Sequence, residues 1–185
     1  MTRSRWILGA AALLFAAAAS LALGREAQNP QSCCRRGGGH RGMAADGDHA
    51  EDMALFHFLL DHREEIRRSV EMLPDGVETL TESDVPEMAS TIREHVRSMY
   101  QRLEEGRPIH ARDPLFAEIF RNADKIRMTI EDTEHGLRVR ETSDDPYVAK
   151  LIQRHAEVVN GFLANGHAEM RKSHPLPERP KQEER

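Results

Sequence analysis

A chain of 185 residues, 31% of them charged and only 5% aromatic, has room for one domain with tails, and its composition suits a well-solvated helical protein better than a β-sandwich. The formal net charge is −5 with ten histidines left uncounted, and no Lys/Arg block is longer than a pair such as Arg35-Arg36. Phosphate neutralisation needs a basic face, so this balance argues against a nucleic-acid partner.

The amino end opens with Arg3 and Arg5, and an apolar run follows from Ile7 to Leu23. Small residues at Ala22 and Gly24 suit signal-peptidase cleavage, so residues 1–24 read as a signal peptide or, uncleaved, as an N-terminal anchor that would be the only membrane contact. Either way the domain is expected in the periplasm or outside the cell. Residues 25–52 are rich in Gly, Arg and His without an apolar period and read as a flexible linker. The cysteines, Cys33 and Cys34, are adjacent within it, so no disulfide framework is expected in the domain. The Pro-rich, charged stretch 175–185 reads as a disordered tail.

Between these tails lies an internal repeat at a constant offset of 60 residues, with 55–106 matching 115–166. Leu55 matches Leu115, Phe56 Phe116, Ile66 Ile126, Gly76 Gly136, Ser83 Ser143, Pro86 Pro146, Ile92 Ile152, His95 His155 and Gly106 Gly166. The duplicated domain is placed at 53–174, and a duplication of this kind is expected to fold about a pseudo-two-fold axis.

Each copy spells helix, short extended segment, helix. Leu55, Leu59, His62, Ile66, Val70 and Leu73 recur at helical spacing, as do Leu115, Ile119, Asn122, Ile126 and Ile130. Pro74-Asp75-Gly76 and Gly136 would end these helices. Val77–Thr81 and Leu137–Glu141 alternate every second residue, and because a lone strand is unstable the two are predicted to pair as a small ribbon. Ser83-Asp84 and Ser143-Asp144 then cap new helices, with Pro86 and Pro146 in the first turn. Arg67 and Arg127 are placed to pair with Glu71 and Glu131 one turn on. The fold class that follows is mainly α: a four-helix bundle from a tandem helix-strand-helix duplication, with a two-stranded ribbon.

The candidate site follows from the apolar stripes of the second helices, because His95 and His155 fall near the middle of them. With His62 and Asn122 at matching places in the first helices, four polar side chains could share one core layer. Buried imidazoles need partners. His62, His95 and His155 form a three-histidine set for zinc or copper, with Met99 or Asn122 beside it. Alternatively, a haem could sit on the pseudo-dyad with His95 and His155 as axial ligands. In the third reading the histidines bond each other, Asn122 and water, and the chain is a cofactor-free interaction or structural module. A softer pattern at the ends, His40, Met43, His49, Met53 and His57 with His167, Met170 and His174, combines imidazole with thioether and suits copper. No G-x-S-x-G, Walker A or dinucleotide-binding motif supports hydrolase or kinase chemistry.

The segments LPDGVETLTESD and DPLFAEIFRNADKIRM, with TSDDPYVAKLIQRHAEVVNGFLANG, resemble small secreted bacterial proteins that carry this duplicated unit after a His/Met-rich leader. That resemblance implies an exported helical domain and no established activity. Taken together, the expectation is an exported, non-catalytic helical bundle binding copper or haem through His95 and His155, with the cofactor-free module as the alternative.

Overall fold

The computed structural model describes residues 47–179. The signal or anchor segment, Cys33, Cys34, His40 and Met43 lie outside the described residues. Among the described residues no helix is long and apolar enough to cross a membrane.

Each copy of the repeat folds as helix, hairpin, helix. The first copy runs α1 (Gly47–Asp61), β1 (Arg67–Leu73), β2 (Gly76–Glu82) and α2 (Pro86–Glu104). The second runs α3 (Pro114–Arg121), β3 (Arg127–Thr133), β4 (Gly136–Thr142) and α4 (Pro146–Asn165), followed by the short α5 (His167–Met170). The strands form one antiparallel sheet in the order β1-β2-β4-β3. The protein is therefore a mixed α/β fold and not a four-helix bundle. The expected ribbon exists as the central β2–β4 pair, but each of its strands is flanked by one that helical spacing had assigned to the first helices.

The physical reason lies in how α1 and α3 stop. His62 and Asn122 leave helical geometry at φ −109° and −113°, and their side chains bond back to the carbonyls of Phe58 and Glu118, both at 2.9 Å. Single 3-10 turns at Arg63–Glu65 and Ala123–Lys125 follow, after which Ile66 and Ile126 are extended. Ile66, Val70 and Leu73 satisfy a helical period, yet Arg68, Val70 and Met72 satisfy a period of two, and tertiary pairing decides for the strand. Pro74-Asp75 and Glu134-His135 are two-residue hairpin loops, since Leu73 pairs with Gly76 and Thr133 with Gly136. Pro74 thus sets a turn and does not end a helix.

The seam between β2 and β4 carries the pseudo-two-fold. Thr79 faces Val139, its own repeat mate, while Gly76 faces Thr142 and Glu82 faces Gly136. The strands approach so closely at the seam's ends that a Cβ on Gly76 would lie 1.9 Å from the Glu141 carbonyl oxygen, and one on Gly136 would lie 2.1 Å from that of Thr81.

Pro86 and Pro146 do occupy the first turns of α2 and α4. The serines act one step earlier than expected: buried Ser83 and Ser143 accept from the amides of Val85 and Asp145, both at 3.2 Å. Asp145 is the residue whose side chain caps α4, accepting from the Tyr147 amide at 2.9 Å. Arg67 and Arg127, being on strands, cannot reach Glu71 and Glu131 as helical neighbours. They form two-point ion pairs with Asp84 and Asp144.

The helices cover one face of the sheet, through contacts of α4 with β2 and of α2 with β4. Met88, Ile92, Leu137 and Val139 pack in one cluster, and Val77, Val148, Ile152 and Ala156 in its counterpart. The other face carries exposed Arg67, Glu71, Glu131, Arg138 and Arg140, the alternation of an antiparallel sheet wetted on one side. A fully buried ion pair joins Asp52 of α1 to Arg102 of α2, with Ser98 donating to the same carboxylate. Asp52 and the start of α1 at Gly47 fall inside the stretch expected to be linker. The expected disordered tail is held against the domain as far as Arg179, which lies 4.2 Å over the Tyr147 ring and 3.2 Å from Glu118.

Candidate functional site

Between the sheet and the helices lies a cavity of about 230 Å³. Its floor is the inner face of the sheet, where the period of two turns Arg68, Val77, Thr79, Thr81, Val139 and Glu141 toward the helices. Its walls come from all four long helices. His95 of α2 and His155 of α4 both line it, so the structure brings the matched histidines to one space. Met99, four residues after His95 on the same helix, lines it too.

An aromatic belt surrounds the imidazoles. Phe56 stacks on His95 with centroids 5.9 Å apart, and its repeat mate Phe116 meets His155 edge-on at 5.5 Å. Phe162 closes the belt, 5.3 Å from Phe56 and 6.3 Å from Phe116. Among the described residues neither His95 nor His155 hydrogen-bonds a protein group, and the Nδ1 atom of His95 is buried without a partner. Burial pushes both imidazoles down to about 4, so each is neutral at pH 7. The Asp52 carboxylate opposes that effect at His95, while the Arg68 charge adds to it at His155.

His62 and Asn122 are not in this site. His62 is exposed and, like Asn122, is spent on the carbonyl that ends its own helix. The expected metal set of His62, His95, His155, Met99 and Asn122 is therefore not assembled. No group of three or more His, Cys, Asp or Glu side chains among the described residues is placed to hold a metal ion. Of the soft-metal pattern, His57 and His167 meet edge-on with ring centroids 5.5 Å apart and His167 bonds Asp61 at 2.8 Å, while His49 is exposed and Met170 packs in the core. His174 is buried between Asp113, at 2.8 Å, and Glu169, at 3.3 Å. As for haem, an internal cavity of about 150 Å³ accommodates benzene, so this one suits roughly ten non-hydrogen atoms, well short of a four-ring macrocycle.

Three further residues belong to the site. His110 lines the cavity in a left-handed conformation, φ 53°, between Phe56 and Phe116, and its Nε2 atom is buried without a partner. Arg68 enters from β1 and Glu141 from β4. Burial lowers the Arg68 guanidinium to about 10 and raises the Glu141 carboxyl to about 7, each change opposed by the other's charge. Helical assignment of β1 concealed Arg68. The repeat carried a signal for both, because the mate of Arg68 is Met128 and the mate of Glu141 is Thr81: a charge stands where the other copy has none.

Comparison with protein-family models, with curated protein sequences and with solved structures finds no match to this chain.

Proposed function

We propose that this chain is an exported, non-catalytic binding protein for a small, largely apolar organic molecule held between the sheet and the helices. One observation carries the reading: an aromatic-lined cavity receives two neutral imidazoles from equivalent positions, neither of which hydrogen-bonds a protein group among the described residues, and the Nδ1 of His95 is buried without a partner. Buried polar groups without partners cost about 1–3 kcal/mol each. A guest that bonds them offsets that cost. Concave apolar walls with a few convergent polar groups are the usual form of a small-molecule site. Export is supported by the basic and then apolar amino end, and it would make the guest one met outside the cytoplasm.

The test is calorimetric titration of the full-length chain with one-ring and two-ring aromatic compounds such as indole, beside the Val159→Phe variant. Val159 lines the cavity at the place where the other copy has Met99, so the larger side chain fills the space. Saturable binding of one molecule per chain, lost in Val159→Phe, is expected. No binding across the series, or binding indifferent to Val159→Phe, overturns the proposal. A Soret band on adding haem, lost in His95→Leu/His155→Leu, would assign the pair to a porphyrin instead.

A further inference from the structure

The cavity is built by a duplication but is not symmetric. Its inner sheet face carries a guanidinium at Arg68, where the second copy places Met128. Arg68 is partly buried, and its protein partners are neutral: Nη1 donates to the Thr81 hydroxyl at 2.7 Å and Nε donates to the Asn160 amide oxygen at 3.1 Å. Among the described residues it has no carboxylate within ion-pair distance. The adjacent Arg67, on the outer face, has Asp84 on two points. Glu141 acts on Arg68 only through space. A cation taken out of water with neutral partners alone is poorly compensated, and guanidinium geometry favours two-point binding of a carboxylate.

His155 completes this end of the cavity. It feels the Arg68 charge, its nitrogens hydrogen-bond no protein group among the described residues, and its helix α4 also supplies Asn160. Around His95 the corresponding sheet position is the thioether of Met128. The two imidazoles are thus equivalent in the fold and different in their surroundings.

Resting on the cavity as the ligand site, we infer that its guest is an organic acid whose carboxylate seats against Arg68 and His155, with its apolar body among Phe56, Phe116 and Phe162. The guanidinium remains cationic at neutral pH despite burial. The imidazole of His155, neutral there, can still donate one N–H. Glu141 stands as the competing carboxyl, and burial holds it near half protonation at pH 7, so it opposes a bound anion less than an ordinary glutamate would.

The experiment compares phenylacetate with phenylacetamide, which share size and ring and differ in head-group charge, by calorimetry on the full-length chain at pH 7. The acid is expected to bind about tenfold or more tightly than the amide, the contribution of a charge-assisted hydrogen bond. In Arg68→Met, which installs the residue of the other copy, that ratio should fall to near one, with folding checked by circular dichroism. An amide that binds as tightly as the acid, or an advantage that survives Arg68→Met, overturns the inference while leaving the cavity as a binding site. Failure of both compounds removes the cavity reading itself and this inference with it.

Discussion

Gly76 and Gly136 stand at opposite ends of the β2–β4 seam, each pressed against the backbone of the other strand. Neither has a positive φ, so it is space and not backbone conformation that demands glycine there. Gly76→Ala and Gly136→Ala should each cost about 3 kcal/mol, since the clash is with a carbonyl that cannot turn aside. Gly106→Ala, where φ is +63° and a Cβ meets nothing, should cost about 1 kcal/mol. Urea midpoints of the three variants check the order, and equal losses would contradict the close seam.

His95→Leu/His155→Leu should leave the empty protein as stable as the parent at pH 7, or more so, because two unbonded imidazoles are removed from an apolar space. The parent itself should weaken in acid. Folding lowers both pKa values from 6.5 to about 4, so as the pH falls the unfolded chain takes up protons first. Stability present above pH 6.5 is then lost progressively toward pH 4, by up to about 3 kcal/mol for each imidazole. Denaturant unfolding across that window should show a larger acid loss in the parent than in the double variant, in which burial of His110 still lowers its pKa.

Glu141 works in the opposite direction. Folding raises its pKa from 4.5 to about 7, so its contribution is fully present below pH 4.5 and is lost as the pH rises through 7. Glu141→Gln, which mimics the protonated form, should match the parent below pH 4.5 and exceed it at pH 8 by up to about 3 kcal/mol. Thermal unfolding at the two pH values decides, and an equal difference at both would mean that the carboxyl is not held up by burial.

Removing the charge of the buried pair of Asp52 and Arg102 by Asp52→Asn should cost about 3 kcal/mol, because the ionised carboxylate that Arg102 and Ser98 both bond is lost from a site closed to water. The repeat mate of Arg102 is Phe162, so Asp52→Leu/Arg102→Phe should recover most of that loss. A double-mutant cycle by equilibrium unfolding measures the recovery.

Much of this architecture was legible in the residues. The offset of 60 located both copies, the alternation of Val77–Thr81 and Leu137–Glu141 placed the central strands and their pairing, and the apolar stripes of α2 and α4 put His95 and His155 inside. The outer strands were hidden because Ile66 and Val70, four residues apart, fit a helical period and a period of two at once, and only the neighbouring strand chooses between them. His62 and Asn122 looked like core residues for the same reason. A side chain that ends a helix sits at a spacing that continues it. Arg68 and Glu141 belong to no motif, and the signal for them lies in the comparison of the copies, where each replaces an uncharged residue.

The seam that joins β2 to β4 has a historical consequence. Were each copy once a separate polypeptide, two of them meeting edge to edge along this seam would enclose the same hollow, and every substitution would appear in it twice. Such a pair could present two arginines or none, never a basic end and an apolar end. Joining the copies in one chain removes that constraint, allowing Arg68 to stand opposite Met128 and giving the hollow a direction.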